Sequence, residues 1–381
     1  MKKVLAFVLS LAMGLSLAAC SSGSSTAAAP ASAAPAASSE AASAAPAASS
    51  EAASSAAASS AAATTGKTIK VGFAQVGHES DWRTASTKSV QAAFSKDKGF
   101  DLQFVDCDNN SAKQLEAVRN FIQQGVDYIV IDPIVATGWD TVLGEAKDAG
   151  IPVIVIDRTI DDSDKYVSWV GSEFTNEGLA AGSWLKDYAA KKNLGSLNIL
   201  VIEGTTGSSA QIGRTNGFKK IADANGWKIL DHQSGNFTQD GGQSVMESYC
   251  KSYQGKFNVV LCQNDNEAFG AEDAMKAAGV KFGVGGNVVL ISFDACKAGL
   301  KETMAGKINA DFQCNPLQGP FCADIISNLA AGKTVDKKTY MKEPWYVSED
   351  VLTQVAYTNN AGKAVTEPLV KVTQALVDAD Y

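Results

Sequence analysis

Short runs of continuous Val and Ile alternate with amphipathic stretches along most of this chain. Ile69–Gln75 has the apolar, β-branched content of a buried strand, and a helix follows from Trp82 to about Ser95. Leu102–Asp106 reads as a second strand. Ser111-Ala112-Lys113-Gln114 then opens a helix as a capping box, with Leu115, Val118 and Ile122 on one face. Tyr128–Asp132, Pro152–Asp157 and Tyr166–Val170 are further strands, and Trp139–Ala149 is a helix closed by Gly150. The alternation then restarts. Helices are predicted near Asn176–Lys192, Gln211–Asn225, Gln243–Ser252 and Glu267–Ala278, separated by strands Leu197–Ile202, Lys228–His232, Val259–Cys262 and Val288–Ser292. The tail from Pro316 adds a helix through Ala331 and an aromatic, strand-like run at Trp345–Val347. Strands that are apolar at every position and alternate with helices call for parallel sheets covered on both faces. Two such series predict the α/β class, with two doubly wound parallel-sheet domains and a boundary near Gly171–Glu173.

The N-terminus follows a different pattern. Lys2 and Lys3 precede an apolar run, Val4 to Leu17, that is too short to span a bilayer stably. Leu17-Ala18-Ala19-Cys20 closes it with small residues, as in a secretory signal peptide. Ending on Cys makes the segment resemble a bacterial lipoprotein signal, which implies that Cys20 is lipidated and becomes the mature N-terminus. From Ser21 to Thr65 the chain is almost only Ala, Ser, Pro and Thr, which cannot bury enough apolar surface to offset chain entropy. As a flexible coil, about 45 residues have an r.m.s. span of roughly 35–40 Å, enough to hold a domain off a membrane. The expected division is a signal peptide at 1–19 and a lipidated tether at 20–66. The expected location is extracytoplasmic, anchored to the outer face of the cytoplasmic membrane.

Composition narrows the classes of function. The stretch from Lys67 to Tyr381 is about 315 residues, which favours two domains over one. The net charge is −8 and no basic run occurs, so nucleic acid and anionic lipid are poor partners. Beyond Cys20 stand Cys107, Cys250, Cys262, Cys296, Cys314 and Cys322. An even number in an exported protein permits disulfides, but none has CxxC spacing. The apolar settings of Cys107, Cys250 and Cys262 favour buried free thiols. With only His78 and His232, neither a His-rich metal site nor a Ser-His-Asp centre is expected. No cofactor is implied.

Open parallel sheets bind ligands beyond the carboxyl ends of their strands. Gln75 ends the first strand, and the next loop carries Glu79, Trp82 and Arg83. Asp132 and Asp157-Arg158 end two others. In the second series Glu203, Gln263-Asn264-Asp265 and Asp294 take these positions, with Arg214 early in the helix after Gly204–Gly207. Carboxylates, amides and guanidinium groups of this kind match the adjacent hydroxyls of a sugar, and an aromatic ring covers its C–H face. A phosphate site is not matched, because Gly204-Thr205-Thr206-Gly207 lacks a Lys and Gly283–Gly286 lacks the strand–helix context. Structural roles compete at each position. Asp or Asn after a strand often caps a helix, as Asp265 is expected to do for the helix at Glu267. Trp139 and Trp184 read as core, and Phe237 fits pocket lining or packing equally. A glycosidase would use a carboxylate pair, for which Asp132 and Asp157 are the candidates. Arg158 beside Asp157 instead favours a permanently ionised acceptor.

Taken together, these segments resemble a known family. Gln124-Gly125 with Asp127–Pro133, Ile151–Arg158, Glu203–Gly207, Gly217-Phe218, Gln263-Asn264-Asp265 and Phe293-Asp294 are similar to sugar-binding proteins of bacterial ABC importers, in the ribose- and galactose-binding group. Gln75-Val76-Gly77, Glu79-Ser80, Trp82-Arg83, Val135–Trp139, Asp157–Asp161, Gln233-Ser234-Gly235 with Phe237-Thr238, and Val245–Ser248 resemble its galactofuranose-binding members. The resemblance implies a periplasmic binding protein type I fold, a pair of hinged lobes enclosing one monosaccharide. The lobes would be 67–172 plus about 314–344, and 173–313 plus about 345–381. It implies no catalysis, a monomer, and a membrane permease or, alternatively, a sensor as partner. Carried over by position, the implied contacts are Trp82, Arg83, Asp157, Arg158, Arg214, Phe237, Asn264, Asp294 and Gln313. The strand ends add Gln75, Glu79 and Asp132. Asp132 stands where relatives often have Asn or Ala, and Gln313 where Glu is expected, so the class of ligand is better indicated than the sugar itself.

Overall fold

A computed structural model describes residues 68–381; the signal segment with Cys20 and the Ala/Ser/Pro tether lie outside the described residues. The chain runs β1 (Ile69–Gln75), α1 (Asp81–Ala93), β2 (Phe100–Asp106), α2 (Ser111–Gln124), β3 (Tyr128–Ile131), α3 (Asp140–Asp148), β4 (Val153–Ile156) and β5 (Ser168–Gly171). It continues through α4 (Phe174–Lys192), β6 (Asn198–Glu203), α5 (Ser209–Ala224), β7 (Lys228–Ser234), α6 (Gln239–Ser252), β8 (Val259–Cys262), α7 (Asp265–Ala277), β9 (Val289–Asp294), α8 (Lys297–Met304) and β10 (Ala310–Gln313). The last elements are α9 (Gly319–Ala330), β11 (Lys338–Tyr340), β12 (Trp345–Val347), β13 (Gln354–Thr358), β14 (Ala364–Lys371) and α10 (Gln374–Ala379).

The continuous apolar runs are strands buried on both faces, as required of a doubly covered parallel sheet. In β4, Val153 and Val155 face one hydrophobic cluster while Ile154 and Ile156 face the opposite one. β8 does the same with Val259 and Leu261 against Val260 and Cys262. The first sheet has the order β11-β5-β4-β3-β1-β2 and is parallel throughout. The second has the order β13-β14-β12-β10-β9-β8-β6-β7, with β12 and β13 antiparallel to β10 and β14. The two series predicted from the sequence are therefore two α/β domains.

Several local expectations are corrected. Asn110, not Ser111, caps α2: its Oδ1 accepts from Lys113 N at 3.1 Å. Asn264, not Asp265, caps α7, accepting from Glu267 N at 2.8 Å. α6 begins at Gln239 because the Thr238 hydroxyl accepts from Gly241 N at 3.0 Å. The sequence reading missed β10, α8, β11, β13, β14 and α10, which are short or, like β13, alternate between exposed and buried residues. All six described cysteines are free thiols.

The chain passes between the sheets three times: from β5 into α4, from β10 into α9, and from β11 into β12. α9 returns to the first domain, where Cys322, Ile325 and Ile326 join Val71 and Phe73 in one core. Within the second domain α4 and α5 pack backbone against backbone. A Cβ on Gly178 would lie 2.3 Å from the Arg214 carbonyl oxygen, and one on Gly217 would lie 2.2 Å from that of Thr175. Gly178→Ala is expected to cost about 1–3 kcal/mol of overpacking. In chemical denaturation it should lower the midpoint while leaving the m-value unchanged.

Candidate functional site

The carboxyl ends of the two sheets face each other across a narrow cleft that has closed down to little free space. From the first domain come Glu79, Ser80, Trp82, Arg83, Asp157 and Arg158; from the second come Phe174, Ala210, Arg214, Phe237, Asn264 and Asp294, with Cys314 on the second connection. The domains touch at the rim. Trp82 Nε1 donates to the Cys314 carbonyl at 2.6 Å, Thr159 N to Ser209 Oγ at 2.8 Å, and Asp81 N to Asn266 Oδ1 at 3.0 Å. Ala136 N also donates to the Gly207 carbonyl at 2.9 Å.

The floor on the first side is an ion network centred on Arg83. Its Nε donates to Glu79 Oε1 at 2.7 Å, its Nη2 to Asp157 Oδ2 at 3.1 Å, and its Nη1 to Asp132 Oδ2. Burial works against the charge on Glu79, but Arg83 and Arg158 outweigh it and hold that carboxyl below its ordinary value. Asp132 is fully buried, and burial pushes its carboxyl well above the ordinary range despite Arg83, with Asp157 adding to the rise. Its Oδ1 has no hydrogen-bond partner. Arg158 differs from Arg83. Its Nη1 donates to the Ile134 carbonyl at 3.0 Å, but Glu79 and Asp157 lie at 3.6 and 4.0 Å from its remaining nitrogens. Burial, then Arg83, lowers its proton affinity. Its guanidinium sits 5.3 Å over the Phe237 ring with donors to spare.

The other side is built around Arg214. Its Nε donates to Glu177 Oε2 at 2.6 Å, its Nη2 to Asp294 Oδ1 at 3.2 Å, and its Nη1 to the Gln263 carbonyl. Phe293 and Phe174 lie 4.9 and 5.5 Å from it. Burial pushes the Asp294 carboxyl well above its ordinary value, with Arg214 opposing. Phe237 has room only because residue 204 is Gly: a Cβ there would lie 1.9 Å from its ring. Glu267, lifted by burial to about 8, accepts from Phe237 N at 2.9 Å and from Gln263 N at 3.1 Å. Asn264 caps α7 and also donates from Nδ2 to the Phe237 carbonyl at 3.0 Å.

Of the residues singled out from the sequence, Glu79, Trp82, Arg83, Asp157, Arg158, Arg214, Phe237, Asn264 and Asp294 come together on the cleft. Gln75, Asp132 and Gln313 do not line it. Gln75 is fully buried, donating to Thr87 Oγ1 at 2.9 Å, and Asp132 lies behind Arg83. Gln313 ends β10 beside Asp294, and Cys314 takes the cleft position next to it. Asp157 is paired with Arg83 more closely than with Arg158, contrary to the sequence reading. With Arg83 bridging Asp132 and Asp157, these carboxylates are not an acid–base pair around an open bond-breaking site. Ser80, Phe174, Ala210 and Cys314 were missed. Ser80 follows the loop residue Glu79 as the cap of α1, whereas Phe174 is marked only by its place at the domain boundary. Glu177, Cys314 and Glu343 come within 4.8 Å of one another. Glu177 and Glu343 are already engaged by Arg214, Ser172 and Asn315, so the group is read as a structural network and not as a cation site.

A family model described as a periplasmic binding protein domain matches residues 71–334. The galactofuranose-binding protein of Escherichia coli strain K12 is 37% identical over 300 residues, covering 77% of this chain and 92% of its own. Among solved structures, a Mycobacterium smegmatis protein in complex with β-D-fucofuranose is similar with a TM-score of 0.70 at 41% identity, covering 74% of this chain and 92% of that one. The binding protein of the arabinose ABC transporter of Shewanella sp. ANA-3, bound to α- and β-L-arabinofuranose, has a TM-score of 0.69 at 37% identity and covers 74% and 93%.

Arg83→Met would strand Glu79, Asp132 and Asp157 as buried acids without their shared counterion. A loss of about 3–5 kcal/mol is expected. Protonating the stranded acids relieves that cost, so the deficit in unfolding free energy should be smaller at pH 5 than at pH 8.

Proposed function

The chain belongs to the periplasmic binding protein family, and on that basis we propose that it is the extracytoplasmic receptor of an ABC sugar importer, closing on one monosaccharide between its domains. The observation that carries this reading is the cleft itself: two buried guanidinium hubs, one at the carboxyl ends of each sheet, facing each other across one narrow interdomain cleft lined by carboxylates and aromatic rings. Arg158 would donate to adjacent hydroxyls, Asp157 and Asp294 would accept from them, and Trp82 and Phe237 would cover the ring faces. Its named relatives are transport binding proteins, and it is a binder and not an enzyme. Among the described residues no helix is long and apolar enough to cross a membrane.

Three finer points belong to this proposal. The ligand is a hexose in its furanose form, galactofuranose favoured, because the Glu79 and Trp82-Arg83 loop offers groups for a longer exocyclic side chain, whose second hydroxyl a pentofuranose lacks. Furanoses bound by similar proteins support the ring form. The protein is a monomer held by a lipid on Cys20, and it hands its sugar to a permease. Its lobes are 67–172 with about 314–344, and 173–313 with about 345–381, the first taking α9 and β11 and the second β12 to β14.

Isothermal calorimetry over galactose at ring equilibrium, ribose, arabinose and fructose tests the reading. Galactose should bind tightest, and a pentose at least tenfold more weakly, because each unpaired buried polar group costs about 1–3 kcal/mol. Trp82→Ala should weaken binding of every sugar. Binding of an amino acid or nucleoside, with no sugar bound, would refute it.

A further inference from the structure

The three connections between the domains meet at one side chain. Glu343, partly buried in the third connection, accepts from Ser172 Oγ in the first and from Asn315 N in the second at 2.8 Å. Ser172 Oγ also lies 3.3 Å from Cys314 Sγ, and Cys314 lines the cleft. A second acid joins them. The carboxylate of Glu177, on the first turn of α4, comes within 4.8 Å of both the Cys314 sulfur and the Glu343 carboxylate. Arg214 Nε satisfies its Oε2 at 2.6 Å, while its Oε1 is buried without a partner.

Two carboxyl groups this close repel each other when both are ionised, which favours one proton shared between them. One counterion, Arg214, serves the pair from α5. Asp157 and Glu173 face Glu177 with further negative charge, and the Cys314 thiol between the acids is itself pushed up by burial and stays neutral. Burial, then Glu177, raises Glu343 well above its ordinary value; Ser172, Asn315 N and Arg214 oppose this. Burial lifts Glu177 from 4.5 to about 7, with Arg214 opposing.

We propose that Glu343 and Glu177 share one proton when the domains are closed and release it when they open, so that closing on a ligand takes up a proton. This rests on the receptor reading above. Opening changes the angle between connections that Glu343 pins together and lets water reach the pair past Cys314. The sign follows from which state holds the proton more tightly. The closed form does, so closure is favoured at low pH. Affinity should fall as pH rises above the ordinary glutamate value of 4.5. One proton allows at most about a tenfold change per pH unit. Glu343 does not line the cleft. It is a positioning residue, acting through the connections and through Glu177 on Arg214.

The test is calorimetric titration of the full folded protein with the tightest-binding sugar of the panel, at pH 5.5, 6.5 and 7.5, in buffers of different ionisation heat. Proton uptake on binding and a Kd at least severalfold tighter at pH 5.5 than at pH 7.5 are expected. Glu343→Gln keeps an acceptor for Ser172 and Asn315 but cannot ionise, so it should bind the sugar with little pH dependence and little proton uptake. A wild-type Kd that is flat with pH, or full proton uptake retained in Glu343→Gln, overturns the inference. If that variant fails to fold, Ser172→Ala removes one donor to the carboxylate and should move the pH midpoint upward; an unmoved midpoint also overturns it. Sugar binding without pH dependence defeats only this inference, whereas no sugar binding at any pH defeats the receptor reading and this inference with it.

Discussion

The burial of two guanidinium groups is the constraint on which the rest of the cleft depends. Arg83 and Arg214 are both almost fully buried, one at the carboxyl ends of each sheet. Desolvating each charge costs several kcal/mol and is tolerable only if carboxylates surround it in good geometry. Glu79, Asp132 and Asp157 do this for the first, Glu177 and Asp294 for the second. Once these partners are in place, few side-chain rotations remain free. The polar groups that face the cleft are therefore ordered before any ligand arrives, which lowers the entropy cost of binding.

The backbone is bent to the same end. Asp157, Phe237 and Asp294 have φ values of 57°, 62° and 97°, in the left-handed region that side-chain-bearing residues seldom adopt. All three line the cleft, and each is held by its surroundings. The Asp157 carbonyl accepts from Trp169 Nε1 at 3.2 Å, the two backbone groups of Phe237 are bonded to the side chains of Glu267 on α7 and of its cap Asn264, and the Asp294 carbonyl accepts from Cys314 N at 3.3 Å. Strain of this kind at strand ends aims side chains into the cleft that an ordinary turn would direct elsewhere.

The alternation of apolar runs and helices was legible because the inner strands are buried on both faces, so β1, β8 and β12 could be read directly to their ends. Strand β10, four residues with Asp311 at its centre, carries no such run, and β13 and β14 are patterned as a half-exposed hairpin. The cleft was legible for a geometric reason: in parallel sheets the polar residue after each strand must face the ligand side. What the sequence could not separate was the inner ring from the layer behind it. Asp132 and Asp157 follow adjacent strands of the same type, and only the reach of Arg83 between them decides that one faces the cleft and the other backs it. Glu177, Glu267 and Glu343 were invisible because their roles arise from segments far apart in the chain.

The triple crossing of the chain between its domains has a consequence for synthesis. β11, at residues 338–340, completes the first sheet beside β5, and α9 supplies part of that sheet's core. The second sheet likewise waits for β12 to β14. As the polypeptide emerges N-terminus first, neither domain can bury its full core until nearly all of the chain is available. Pairings so distant in sequence are also slow to form. The nascent protein therefore cannot complete either core for most of its translation, which prolongs the stage at which the chain is still loose enough to pass through a narrow pore.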